Sequence, residues 1–144
     1  MGKKCANLGE LTKAGFRVPP GYALGVEAYM RFMKETDVAD RLLKFLSSFQ
    51  ADPDNVGDTP KFEKASKELR GIAETVQMPP DMKETIKNYY AELCKQACCV
   101  DLYVATRSAG PLSHPGQYET YLNVCGAEDV VRNVAVAGVV RLLQ

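Results

Sequence analysis

The sequence has no excess of charge of either sign, no long apolar run and no apolar leader. Eighteen lysines and arginines balance eighteen acidic residues among 144, so net charge does not direct the chain toward nucleic acid or an anionic membrane surface. No apolar run approaches the roughly 20 residues that a membrane-spanning helix needs. Met1 is followed by polar residues rather than by a secretory signal. These absences predict a cytoplasmic protein.

Histidine is nearly absent, and cysteine is present in an odd number. The chain has one histidine, His114, and five cysteines, which are expected to be reduced because no secretory signal precedes them. Cys94 and Cys98 share one helical face. This favours buried thiols, since free cysteine is often buried and a metal needs more ligands than these two. His114 lies among prolines and glycines, so it is interpreted as a loop residue rather than a phosphocarrier.

Apolar residues recur at helical spacing along most of the chain. One stripe begins at Phe62, after Thr59 as a predicted N-cap and Pro60 in the first helical position. Another stripe follows Asp81, a predicted N-cap that stands in capping-box register with Glu84. We interpret these stripes as core. The predicted helices cover residues 5–14, 26–34, 37–49, the stretches after Pro60 and after Asp81, and 127–143.

Three other segments are predicted to be extended. Short strands are predicted within residues 16–25, at an edge or a turn because two prolines stand there. Residues 102–106 and 118–124 predict two further strands, joined by a loop that holds two glycines and two prolines in residues 107–116. The order of elements predicts one helix-rich α+β domain with a small mixed or antiparallel sheet.

Three features could bind a phosphate group, and each has a plainer alternative. Lys4 stands at the start of the first helix, where free N–H groups favour an anion, or it is simply solvated. Arg107 ends an apolar strand and can hold a phosphate through two parallel hydrogen bonds, or it pairs with a surface carboxylate. Residues 109–117 contain glycines whose N–H groups can approach an anion, with the Thr120 hydroxyl beyond, or they form an ordinary hairpin connection.

Two motifs resemble one family. GKKCANLGEL followed by TKAGFRVPPGYALGVEAY resembles the opening of the nucleotide-binding domain of the pyruvate phosphate dikinase and phosphoenolpyruvate synthase family. The usual form there is G-G-K-G/A-x-x-L-G-E-L, then G-F/I-x-V-P-P-G-F/Y. VATRSAG and PGQYETYLNV resemble V-R-S-S and A-G-Q-x-x-T-x-L-N-V of the same domain. The motifs occur in the family's order, and the resemblance spans nearly the whole chain.

The resemblance implies an ATP-grasp type fold that binds ATP with Mg²⁺. In the family this domain passes a phosphoryl group to a histidine on a separate swivelling domain. Matching positions imply that Lys4 and Arg107 bind the nucleotide phosphates, and that Gly116, Gln117 and Thr120 belong to the phosphate loop. No catalytic residue and no metal ligand is assigned to this chain. The partners implied are the remaining lobe of the domain and the phosphohistidine domain of the same enzyme.

The chain also departs from the family's pattern. Lys3 stands where the family has a second glycine, Ala109 stands where it has a second serine, and the loop that ends at Gly116 is shorter. The family's domain is more than twice as long. We therefore expect residues 1–144 to be its N-terminal lobe, inactive alone, with a helical block at about 26–99 and the phosphate-loop strands at about 100–124. The alternative is a non-catalytic interaction module that keeps the fold.

Overall fold

A computed structural model describes residues 2–108 and 120–140 of the chain. None of the helices in these ranges combines the length and apolar character that crossing a membrane requires. The helix-rich α+β class predicted from the sequence is confirmed, with an antiparallel sheet. In chain order the elements are α1 (Lys3–Lys13), α2 (Val26–Glu35), α3 (Val38–Ser48), a 3₁₀ turn (Val56–Asp58), α4 (Thr59–Glu74), α5 (Pro80–Gln96), β1 (Val104–Arg107), β2 (Thr120–Val124) and α6 (Ala127–Val140).

The C-terminal end of α1 follows a local signal. Gly15 adopts a φ of 82°, a left-handed conformation that costs glycine no steric clash. The N–H groups of Gly15 and Phe16 return to the carbonyl oxygens of Thr12 and Leu11. This is the hydrogen-bond pattern of a Schellman cap, and it confirms the predicted end of the helix.

Two predicted N-caps are wrong, because their side chains are bound elsewhere. Helix α5 starts at Pro80, and the Asp81 carboxylate is held at 2.6 Å by the Arg31 guanidinium of α2. Helix α4 starts at Thr59, whose hydroxyl donates back to the carbonyl oxygen of Val56. Partners outside the helix therefore compete with the capping that the local sequence predicts.

The strands predicted within residues 16–25 are also wrong, since the structure shows no strand there. Pro19 and Pro20 lack the N–H groups that a ladder needs. The segment is held instead by Tyr22, whose ring stacks on Tyr89 with 5.5 Å between centroids. The Tyr22 hydroxyl lies 3.5 Å from the Ile86 carbonyl oxygen. A side chain, rather than a backbone ladder, attaches this segment to α5.

Helix α5 supplies the centre of the core. It buries Met82, Ile86, Tyr90, Leu93 and Cys94. All of these except Leu93 belong to one cluster, which side chains from the rest of the chain complete: Phe32, Val38, Leu42, Met78, Val124, Val130, Val131 and Ala135. The predicted apolar stripes thus form the core, and α5 contributes more residues to the cluster than any other element does.

Some predicted core positions are exposed. Leu43 and Leu46 of α3 are 65% and 46% exposed, so that helix buries a narrower stripe than its sequence predicts. Cys94 is buried, but Cys98 is exposed and lies past the end of α5 with a φ of 54°. The predicted pair of buried thiols on one face is therefore wrong, because the helix ends before it reaches Cys98.

Strand β2 contains a bulge. Val104 pairs with Val124 and Thr106 with Tyr121, so β2 has one residue more than β1 between these pairs. Asn123 takes up the extra residue with a φ of 55°, a conformation that asparagine tolerates better than most residues. As a result Tyr121 and Val124 both face the core side of the hairpin.

Candidate functional site

Arg107 and Thr120 lie opposite each other at the end of the hairpin where the chain leaves β1 and returns to β2. Arg107 is the last residue of β1, Thr120 is the first of β2, and the two are paired in the ladder. Both side chains are exposed. Residues directly opposite in an antiparallel pair have Cβ atoms about 5 Å apart. The guanidinium and the hydroxyl can therefore contact the same anion.

The Arg107 guanidinium has no carboxylate partner in the part of the chain that the structure describes. Arg31 and Arg132 do have one: Arg31 is bound by Glu35 and Asp81, and Arg132 by Asp129. Arg17, Arg41 and Arg70 resemble Arg107 in having no ion pair among the described residues. The predicted alternative for Arg107, a surface ion pair, is thus not seen among residues 2–108 and 120–140. An arginine at a rigid strand end with its donors available can bind a phosphate or a carboxylate.

Ser108 was not assigned to the site from the sequence. Its Oγ is buried, and no described group forms a hydrogen bond with it. Buried hydroxyl groups in folded proteins usually have a partner, and the Ser108 hydroxyl has none among the described residues. The signal in the sequence is its position directly after Arg107, where the resembling motif also has a serine.

The start of α1 is suited to an anion. Helix α1 begins at Lys3, has no acidic residue in its first turn and has no side chain capping its N-terminus. Its first N–H groups therefore keep their partial positive charge. Lys4 is half-buried, whereas Lys3 is exposed. This difference is consistent with Lys4, rather than Lys3, as the residue with a defined position.

Of the three predicted site residues that the structure describes, it brings Arg107 and Thr120 together and leaves Lys4 apart from them. Among the described residues, α1 is not one of the elements that pack extensively on another, and no hydrogen bond or ion pair joins Lys4 to Arg107 or Thr120. Gly116 and Gln117 lie outside the described residues, as does His114. Their predicted roles stay predictions.

Metal sites and surface grooves are two other kinds of site that the described ranges could contain. No three histidine, cysteine, aspartate or glutamate side chains are grouped there so as to hold a metal ion. A shallow groove of about 690 Å³ runs along α4 from Phe62 to Glu74. It shares no residue with the strand ends or with the start of α1, so it is separate from the candidate phosphate-binding residues.

The family model of the pyruvate phosphate dikinase AMP/ATP-binding domain matches residues 1–139. The chain belongs to this family. Both motifs that suggested the resemblance, including Lys4, Arg107 and Thr120, lie inside the matched range.

Several archaeal proteins are similar to the chain. A probable phosphoenolpyruvate synthase of Methanocaldococcus jannaschii is 37% identical over 139 residues, which cover 92% of this chain and 11% of the relative. A probable phosphoenolpyruvate synthase of Methanothermobacter thermautotrophicus is 36% identical, covering 90% and 19%. The phosphoenolpyruvate synthase of Aeropyrum pernix is 37% identical, covering 95% and 17%. The chain therefore spans less than a fifth of the length of these three relatives.

Proposed function

We propose that the chain forms the ATP-phosphate-binding portion of a phosphotransferase that uses phosphoenolpyruvate, similar to the phosphoenolpyruvate synthases it matches. The observation that supports this most is the pairing of Arg107 with Thr120 at an exposed strand end, in a chain of an AMP/ATP-binding family. The reaction class is transfer of a phosphoryl group from ATP to a histidine on a swivelling domain. In such reactions positioning and charge neutralisation account for most of the catalysis.

Each proposed residue has a distinct task. Arg107 would hold phosphate oxygens through two parallel N–H donors, and Thr120 would donate its hydroxyl beside it. Lys4 would add a positive charge where the N–H groups of α1 are already free. Gly116 and Gln117 would supply loop contacts to the same phosphates. These groups recognise phosphate rather than adenine, so the chain alone is expected to bind nucleotide weakly and to catalyse no complete reaction.

Magnesium would neutralise phosphate charge when it is bound with the nucleotide. The described residues provide no group of three metal-ligating side chains, so no step is assigned to the metal in this chain. We propose that its protein ligands belong to the remaining lobe of an ATP-grasp type domain. That lobe and the phosphohistidine domain are the proposed partners, and a cytoplasmic location is proposed with them.

The proposal is tested by calorimetry of ATP–magnesium binding. Arg107→Ala should weaken binding roughly 10- to 100-fold, because hydrogen bonds to a charged group contribute about 1.5–3 kcal/mol. Lys4→Ala should also weaken it. Lys3→Ala and Arg41→Ala are the controls, since each removes the same charge from an exposed position. Equal losses in the variants and their controls would contradict a specific site.

The alternative, a non-catalytic interaction module, makes the opposite prediction. Binding to the other parts of the enzyme would then survive Lys4→Ala and Arg107→Ala, and wild type would bind no nucleotide. No described contact favours this alternative, and the pairing of Arg107 with Thr120 at an exposed strand end, in a chain of an AMP/ATP-binding family, supports the first proposal.

A further inference from the structure

One buried hydroxyl group binds both the segment that enters the hairpin and the segment that leaves it. The Tyr90 hydroxyl, on α5, donates to the Leu102 carbonyl oxygen at 2.9 Å. The same hydroxyl accepts a hydrogen bond from the Gly126 N–H at 3.0 Å. Leu102 lies just before β1 and Gly126 just after β2. The chain that enters the hairpin and the chain that leaves it are thus bound to one atom of the core.

The position of this hydroxyl is well determined. Tyr90 is only 3% exposed, and its ring belongs to the central core cluster. The hydroxyl uses both its donor and its acceptor capacity. Burial raises the pKa of Tyr90 above its ordinary value, so the proton that is donated to Leu102 is retained at neutral pH. Helix α5 therefore presents a fixed donor and acceptor to the hairpin base.

The hairpin needs such an attachment because it is small. Within the described residues its sheet has only the strands β1 and β2, and a two-stranded hairpin is marginally stable alone. Helix α6 packs against both strands, and Val124 is buried. The opposite end, with Arg107 and Thr120, is exposed. A shift at the base is therefore transmitted along the short strands to these two side chains.

We propose that Tyr90 is a positioning residue for the candidate phosphate site. Its hydroxyl fixes the hairpin base on α5 and thereby sets where Arg107 and Thr120 lie. The inference rests on the proposed function for its effect on nucleotide binding. The attachment of the hairpin itself can be measured without any nucleotide.

The test uses Tyr90→Phe in the full 144-residue chain. The variant keeps the buried ring and removes the hydroxyl, with its hydrogen bonds to Leu102 and Gly126 and its contact with Cys94. Tyr22→Phe is the matched control, because its hydroxyl makes one long contact, 3.5 Å, to the same helix. Hydrogen exchange should accelerate about tenfold for hairpin amides and Gly126 in Tyr90→Phe. Amides inside α5 should accelerate much less, and Tyr22→Phe should leave the hairpin unchanged.

A double-variant cycle separates positioning from general stability. Tyr90→Phe should weaken ATP–magnesium binding by about 3- to 10-fold. In an Arg107→Ala background the same substitution should change binding less than about twofold, because residues that act through one another are not additive. Equal weakening in both backgrounds would overturn the proposal. Equal acceleration of exchange in the hairpin and in α5 would also overturn it.

The two proposals can fail separately. If wild type binds no nucleotide while hairpin exchange responds to Tyr90→Phe, the proposed function is wrong for this chain and the attachment of the hairpin stands. If wild type binds and Arg107→Ala abolishes binding, but Tyr90→Phe alters neither exchange nor affinity, the proposed function stands and the role of Tyr90 is wrong.

Discussion

At the scale of single residues, the chain uses arginine in two ways. Arg31 bridges Glu35 of its own helix and Asp81 of α5, at 2.7 and 2.6 Å, and so joins two helices. Arg107 has no such partner among the described residues and extends from a strand end. The surroundings, rather than the residue type, separate a structural arginine from one that can bind a ligand.

The Arg31–Asp81 pair predicts a loss of stability in acid. The hydrogen bond that the Arg31 guanidinium donates to the Asp81 carboxylate lowers the pKa of Asp81 below the ordinary value of 3.8. The ion pair therefore stabilises the fold at neutral pH. This stabilisation is lost as the pH falls from about 4 through the lowered pKa of Asp81. Asp81→Asn should lower the melting temperature at pH 7, and the difference from wild type should shrink near pH 2.

The matched control is Asp40→Asn. Asp40 lies in the first turn of α3 as Asp81 lies in the first turn of α5, so both substitutions remove a negative charge that the helix dipole favours. The described residues include no ion pair of Asp40. If Asp40→Asn lowers the melting temperature as much as Asp81→Asn does, with the same dependence on pH, the pair with Arg31 is not the cause.

At the scale of elements, the sequence predicts the helices well and the details of the hairpin poorly. Apolar spacing located the helical block because α2, α3, α4 and α5 each place apolar side chains in or against the core cluster. The alternation in β2 would place Tyr121 and Asn123 on one face, whereas the bulge places Tyr121 and Val124 there. Nothing local to the sequence requires a bulge at Asn123, since its left-handed φ is settled by pairing with β1.

The bulge makes a prediction about Asn123. Asn123→Val should destabilise the chain by about 1–2 kcal/mol, because a β-branched residue resists a left-handed φ. Asn123→Gly should be nearly neutral, since glycine adopts that φ without a clash. Urea unfolding followed by circular dichroism measures both. A valine variant as stable as wild type would show that β2 does not need the left-handed residue.

The candidate site, like the hairpin, could be predicted only in part from the local sequence. Local patterns at Lys4 and Arg107 allowed either a phosphate-binding role or an ordinary surface role, and the two distant motifs decided in favour of the first. Two strands were predicted on either side of the loop, but the register that pairs Arg107 with Thr120 is known only from the ladder. The orphaned Ser108 hydroxyl could not be predicted, because burial of one oxygen atom depends on how the strand end packs.

At the scale of the whole molecule, α5 connects most of the fold. Its Asp81 binds α2, its Lys87 forms an ion pair with Glu128 of α6, and its Tyr90 holds the hairpin. The segment before α2 is attached to it through Tyr22. Helix α1, by contrast, buries no residue. In the described structure α5 is thus bound to several other parts of the chain, whereas α1 contributes no buried residue.

Core packing around α5 should therefore dominate stability. Ile86 is 1% exposed, and Ile86→Ala should cost about 2–5 kcal/mol because it removes packed atoms and leaves a cavity. That is a large part of the roughly 5–15 kcal/mol of a typical domain. Leu43→Ala, on the exposed face of α3, should cost less than about 0.5 kcal/mol. Denaturant midpoints give both values, and similar losses would contradict the central position of α5.

Tyr90 holds both segments at the base of the hairpin, and this affects where the chain can vary in length. Since Leu102 and Gly126 are held at one point of the core, an insertion between β1 and β2 leaves both strands seated where they are. Closing a flexible loop of twice the length costs only about 0.6 kcal/mol more. A change in the length of the connection should therefore cost the fold little, whereas any change that displaces Gly116 or Gln117 should cost the proposed phosphate contacts.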